Sequence, residues 1–221
     1  MATKKKPRPR LDASTIGLVH EKWINPKTRE MWIHGTEAYG TELEGEEPGV
    51  EYTMSTKVIK NLHLFKHQSK TRTVIIHMQT CGGDWTEGMA IYDTIRAMPY
   101  PVTIISYTHA RSMSSIILQA ADRRVLMPNS YFLIHWGEAG TGGYSPASYS
   151  QALWNKKIDE DMLNLYVEIA YEYGAKFKGK SKKFVKETIE NRMNKEGDVF
   201  FTPEEAVEWG FADEVFTKWP R

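Results

Sequence analysis

Cysteine is nearly absent from this chain of 221 residues; Cys81 stands alone. One thiol cannot close an internal disulfide, so no disulfide framework holds the fold. The count fits a reducing compartment, and the expected location is cytoplasmic. Long hydrophobic runs are missing too: no apolar stretch approaches the roughly 18 residues of a membrane-spanning helix. The basic N-terminus has no apolar segment behind it and does not read as a secretory signal. Net charge is also lacking, since 29 Lys and Arg against 28 Asp and Glu leave +1. That balance implies no nucleic-acid and no membrane partner. Neither Gly-x-Gly-x-x-Gly nor a Gly-Lys-Ser ending is present, which excludes the common phosphate loops. Internal repeats are missing as well.

What is there suits an ordinary globular domain. The length allows one domain over residues 13–221 with a real core. Residues 1–12 read as a disordered basic arm, with Lys4, Lys5, Lys6, Arg8 and Arg10 broken by two prolines. Asn25-Pro26 signals a turn and Met31–His34 a strand. The stretch 36–50 is rich in glutamate and glycine and reads as a mobile acidic loop. A helical period follows from Tyr52 to about His67, with Val58, Leu62 and Phe65 on one face. His63 and His67 are spaced i, i+4, which is half a metal site or a surface pair; no third ligand is near in sequence.

From Thr73 onward, short apolar strands alternate with helical patterns. This makes the chain α/β with parallel pairing and a covered sheet. Thr73–Met78 is a buried strand ending at Gly82-Gly83, where the backbone can approach a ligand closely. A helix with Gly88, Ile91, Ile95 and Met98 on one side stops at Pro99. The strand Val102–Tyr107 leads to Ser112, Ser114 and Ser115 at the start of a further helix. A serine at a helix start is a favoured cap. At a strand-to-helix turn it can instead present its oxygen as a nucleophile beside free N–H groups. Arg124–Met127 and Tyr131–Ile134 are strands, and His135 ends the second. Residues 138–144 read as glycine-rich and mobile. The longest periodic segment runs from 146 to 173, with Trp154, Ile158, Met162, Leu165, Ile169 and Tyr173 recurring. At about 1.5 Å per residue it is longer than its own core requires, and a neighbour is its expected packing partner. A hinge at 176–183, a helix at 184–193 and the strand edge 197–201 follow. Thr202-Pro203-Glu204-Glu205 then starts a helix that Gly210 stops. A last strand covers 214–216.

Ser112, His135 and Asp198 follow one another at strand ends, after a double-glycine turn. Those are the parts of an acyl-transfer site: nucleophile, base, orienting acid and backbone donors. At this point the chain resembles the ClpP family, the proteolytic subunits of the ATP-dependent Clp protease, as a divergent member. The motifs span roughly residues 73–216. They are Gly82-Gly83 with Gly88-Met-Ala-Ile-Tyr-Asp-Thr94; Arg111-Ser112-Met113 for the family's Ala-Ser-Met; Met127-Pro-Asn-Ser130 with Ile134-His135; and Asp198-Val-Phe200 with Glu205-Ala-Val-Glu-Trp-Gly210.

The resemblance implies a repeated β-β-α superhelix of ClpP/crotonase type with a protruding handle helix, the handle region covering about 137–175. It implies catalytic Ser112, His135 and Asp198, with the backbone N–H groups of Gly83 and Met113 as the oxyanion hole. It implies a serine endopeptidase for unfolded polypeptides, a homo-oligomer of heptameric rings stacked as a tetradecamer, and no cofactor or metal in the subunit itself. ATP would be used by a partner AAA+ unfoldase, docking near Ile75, Ile105, Tyr107, Val125, Met127 and Phe216. The chain departs from the family at Cys81, Ser114, Trp136-Gly137 and Gly197. These stand where relatives carry proline, glycine, Gln-Pro and a basic residue of an inter-ring ion pair. A catalytically silent ring subunit and a crotonase-type acyl-CoA enzyme are the alternatives; the intact Ser, His and Asp disfavour both.

Overall fold

The computed structural model describes residues 13–34, 49–137, 140 and 144–218. The basic arm, residues 36–48 of the acidic loop and residues 138, 139 and 141–143 of the glycine-rich stretch lie outside the described residues. In chain order the elements are α1 (Ala13–Lys22), β1 (Ile24–Asn25), β2 (Glu30–His34), α2 (Tyr52–Gln68), β3 (Val74–Gln79), α3 (Trp85–Arg96), β4 (Val102–Ser106), β5 (His109–Arg111), α4 (Met113–Leu118), β6 (Arg123–Leu126), β7 (Tyr131–Ile134), α5 (Ser145–Tyr173), α6 (Lys182–Glu196), β8 (Val199–Phe201), α7 (Pro203–Trp209) and β9 (Glu214–Val215).

Local chemistry sets most of these bounds. Glu51 caps α2 by accepting from the N–H groups of Thr53 and Met54. Asp84 caps α3 by accepting from Glu87 N–H. Thr202 and Glu205 form a reciprocal capping box, and Gly210 ends α7 at φ +84. The buried stripe of α2 (Val58, Leu62, Phe65) and that of α3 (Gly88, Ile91, Ile95) are the ones the period predicts, except that Met98, expected on the α3 stripe, lies beyond the end of the helix.

The strands form two sheets. The larger has the order β1-β2-β3-β4-β6-β9 and the smaller β5-β7-β8. The chain crosses from one to the other twice, from β4 to β5 and from β6 to β7. That gives the strand-strand-helix repeat of the expected superhelix. Pairing is parallel from β2 to β9 in the large sheet and between β5 and β7, but β1·β2 and β7·β8 are antiparallel. The parallel pairing expected from residue 73 onward therefore holds except at β7·β8, two strands that α5 and α6 separate in sequence.

Coverage of the large sheet is also less complete than expected. Val74, Ile76, Met78, Ile104 and Leu126 are buried on one face. The other face carries buried His77, Ile105 and Val125 beside half-buried Ile75, Tyr107, Met127 and Phe216. The core is one continuous apolar cluster, with Phe132 stacked on Phe211 at 4.9 Å and Phe201 edge-on to Trp209 at 4.9 Å.

α5 differs from its predicted stripe. Its buried residues are Met162, Leu163, Tyr166, Val167 and Ala170, all in its second half. Tyr173 and Trp154 are exposed, while Leu165 and Ile169 flank the contact. The first half therefore projects from the body, and only the second half packs against α4 and α6.

Candidate active site

The strand that delivers Ser112 is β5, not β4. After Ser106 the chain leaves the large sheet, and His109–Arg111 joins the small sheet beside β7. Ser112 then turns the chain into α4 at φ +50 and ψ −133. A side chain with a Cβ is strained in that region, by about 1–3 kcal/mol. Ser112 stands at the cap position yet makes no capping hydrogen bond. Its two neighbours do the local bonding. Ser114 Oγ accepts from Arg111 N–H at 2.9 Å and donates to Arg111 C=O at 2.7 Å. Ser115 Oγ donates to Ser112 C=O at 2.6 Å and lies 2.6 Å from the Tyr166 hydroxyl. With the Ser115 proton committed to Ser112, Tyr166 is the donor. Burial pushes the Tyr166 phenol well above its ordinary range, which keeps that proton in place. Helix α5 is thereby tied to the carbonyl of Ser112 through one hydroxyl.

The Gly82-Gly83 turn leans on the same junction. A Cβ on Gly82 would lie 2.7 Å from both Met113 N and Ser112 Cβ. Val50, at the near end of the acidic loop, pairs with Gly83 as an isolated parallel bridge. Val50 N–H donates to Gly82 C=O, and Asp84 N–H donates to Val50 C=O at 2.9 Å. In that pattern Gly83's own N–H points away from Val50. Met113 is the first residue of α4, where N–H groups have no helical partner. Gly83 and Met113 both border the cavity that Ser112 borders.

His135 follows β7 directly. β8 runs antiparallel to β7 with Ile134 opposite Val199, so the next step sets His135 opposite Asp198. Their Nδ1 and Oδ1 atoms are 3.6 Å apart, within ion-pair reach and beyond hydrogen-bond length. The imidazole is largely buried, whereas the Asp198 carboxylate is 60% exposed.

One cavity of about 700 Å³ is bordered by Gly83, Ser112, Met113, His135 and Asp198 together. Across it lie Trp154, Ile158 and Met162 from α5. The five residues singled out from the sequence are thus brought together from β3, β5, β7, β8 and α4. Val50, Arg111 and Tyr166 belong to the same neighbourhood and were not singled out. Gly49 was the available signal for the Val50–Gly83 bridge: a Cβ there would come 2.8 Å from Gly82 O. Among the described residues no cluster of three or more His, Cys, Asp or Glu could hold a metal. His63 and His67 lie exposed on α2. No helix among the described residues is long and apolar enough to cross a membrane.

Fold and cavity together define an α/β protein with a serine on a strained strand-to-helix turn, flanked by histidine, aspartate and backbone donors. The model of the Clp protease family matches residues 47–219, and the chain belongs to that family of peptidases. The match reaches back through α2, beyond the stretch where the motifs lie. The chain is similar to the ATP-dependent Clp protease proteolytic subunit of Deinococcus radiodurans, 32% identical over 168 residues, covering 75% of this chain and 76% of the relative. It is also similar to proteolytic subunit 2 of Treponema denticola, 32% identical over 175 residues, covering 78% and 79% of the two chains. A third relative is proteolytic subunit 2 of Thermobifida fusca, 27% identical over 176 residues, covering 77% and 78%.

Proposed function

We propose that this chain is a serine endopeptidase that cleaves unfolded polypeptides inside a ring assembly of its own copies, by Ser-His-Asp acyl-enzyme chemistry. One observation carries the reading. Ser112 is held at positive φ, with its side chain unused by the helix it starts, on the cavity that His135 and Asp198 also border. Strain at a serine that caps nothing has no use in the fold, and a nucleophile gives it one.

The chemistry follows from the parts. His135 Nε2 takes the Ser112 proton as Oγ attacks a peptide carbonyl carbon. The oxyanion that forms is held by the N–H groups of Gly83 and Met113. His135 returns the proton to the leaving amine, and the acyl group remains on Ser112 as an ester. Water then attacks that ester, again deprotonated by His135, and Ser112 is regenerated. Asp198 accepts from Nδ1–H and fixes the tautomer. Substrate binding would shorten the 3.6 Å separation, as catalytic contacts tighten in the occupied site.

The relatives are named as proteolytic subunits of an ATP-dependent protease. For this chain we therefore propose a cytoplasmic homo-oligomer, with heptameric rings stacked as a tetradecamer and fed by an AAA+ unfoldase that uses the ATP. The half-buried sheet face with Ile75, Tyr107, Met127 and Phe216 supports a docking surface there.

A fluorophosphonate probe tests the nucleophile. Wild type is expected to be labelled and to cleave a casein substrate. Ser112→Ala should lose labelling entirely and activity by at least about 10³-fold, with its melting temperature held, since alanine keeps the strained Cβ and the lost hydroxyl caps nothing. Labelling that persists in Ser112→Ala sinks the assignment. An unlabelled wild type that elutes as a ring favours a silent subunit, and acyl-CoA protection without labelling favours the crotonase alternative.

A further inference from the structure

Where the family carries Ala before the serine, this chain carries Arg111. The register of the small sheet shows what that substitution places in the site. Arg111 lies opposite Leu133 on β7, and Leu133 lies opposite Phe200 on β8. Side chains alternate across a strand, so these three share one face. Ala110, Phe132, Ile134, Val199 and Phe201 point the other way, into the core. The Arg111–Leu133–Phe200 row is adjacent to the row formed by His135 and Asp198. Phe200 is 55% exposed, and Arg111 and Leu133 border the same cavity as Ser112.

Arg111 is also short of partners. Its Nε is buried without a hydrogen bond, and its guanidinium forms no ion pair among the described residues. A guanidinium presents five donors in a fork that matches a carboxylate, and a dry donor without an acceptor is costly. Among the described residues three carboxylates border the cavity, and each already has a partner. Asp198 faces His135, Asp84 caps α3, and Asp159 accepts from Gly137 N–H at 3.3 Å. Among the described residues Arg111 is thus left without an acceptor, a place that a ligand can fill.

We propose that Arg111 is a specificity-determining residue that receives a carboxylate of the peptide substrate beside the scissile bond. The inference rests on the proteolytic reading above and names the substrate chemistry of that site. The carboxylate comes from an Asp or Glu side chain or from the free C-terminus of a short peptide; both offer the same two-oxygen acceptor. Leu133 and Phe200 supply the apolar surface that flanks it.

The test uses the full chain and quenched peptides that differ by one group. One pair carries Glu or Gln at each position within three residues of the cleaved bond. A second pair carries a free or an amidated C-terminus. Wild type is expected to cleave the Glu peptide with a kcat/KM about tenfold above its Gln partner at one or more positions. A preference confined to the free C-terminus would instead identify the terminal carboxylate as the source. Arg111→Met should bring the ratio to about one, Arg111→Lys should keep part of it, and Arg111→Glu should reverse it toward lysine peptides. Fluorophosphonate labelling of each variant shows that Ser112 remains competent. Should Arg111→Met misfold, raised salt on wild type replaces it, and the ratio should fall with ionic strength. Cleavage with equal ratios in wild type and Arg111→Met, or a wild-type preference for lysine set by the three aspartates, overturns the subsite alone. Absence of both labelling and cleavage overturns the proteolytic reading and the subsite with it.

Discussion

Ser112 occupies a cap position without acting as a cap, and the reason lies in the residues around it. Ser114 and Ser115 meet the local backbone groups, so the oxygen of Ser112 is left to the cavity. Three serines that look alike in sequence therefore divide into one presented hydroxyl and two that hold the turn. His77 shows a second residue-scale effect. It is buried on the outer face of the large sheet, with Trp32 stacked on it at 4.9 Å and the Tyr107 hydroxyl 2.9 Å from its Nδ1. Burial lowers its pKa, and the Glu30 carboxylate opposes that only in part. The folded pKa thus lies below the unfolded value of about 6.5. The contribution of neutral His77 is complete above about pH 6.5 and is lost as pH falls from there toward the folded pKa, because the unfolded chain binds the proton first. His77→Gln should flatten that part of the stability curve. Melting temperatures recorded for both proteins between about pH 5 and 8 check it, and parallel curves would refute the role of His77.

At the scale of elements, the site depends on how closely α3 and α4 approach. Gly88 makes the contact: a Cβ there would lie 2.1 Å from Met113 Cγ. Gly88→Ala should force the Met113 side chain away and cost about 1–3 kcal/mol in urea unfolding. Met113→Ala in the same chain should recover most of that loss. Additive effects in the double-mutant cycle would show that the two residues do not press on each other. Much of this level was legible in advance. The cap at Thr202, the stop at Gly210 and the stripes of α2 and α3 are local chemistry, written in neighbouring residues. β5 was not legible, because His109-Ala110-Arg111 has no strand pattern of its own and is a strand only by pairing with β7. Arg29 was hidden for a similar reason. It is fully buried, and its guanidinium donates to the carbonyls of Phe65 and Arg72 at 2.9 and 3.0 Å. Nothing in sequence brings a cation to the C-terminal end of a helix 36 residues away. The five candidate residues stand out in the sequence because each sits at an element boundary. Their supports Val50 and Tyr166 act from remote segments, and only the fold brings them near.

For the whole molecule the decisive element is the projecting half of α5. Gln151, Trp154, Asn155, Ile158, Asp159 and Met162 turn one side of it toward the cavity. Tyr149 and Leu153 are one turn apart on a different side, 68% and 53% exposed. Large apolar side chains exposed in sequence with one another are costly to leave in water and suit a protein contact. In the proposed assembly the helix then has two tasks, on two sides. The cavity side closes the site, and the Tyr149–Leu153 side is left for a second copy in the proposed stacking of rings. This separates assembly from catalysis more cleanly than the full apolar stripe does, since Trp154 and Ile158 border the cavity. Tyr149→Glu with Leu153→Glu should reduce the assembly to single rings or monomers in sedimentation velocity, while the melting temperature of the subunit stays within a few degrees. Trp154→Ala should leave the sedimentation pattern in place and change KM for peptides. An unaltered sedimentation pattern in the Tyr149/Leu153 variant would remove the handle from the assembly contact and place that contact elsewhere on the subunit.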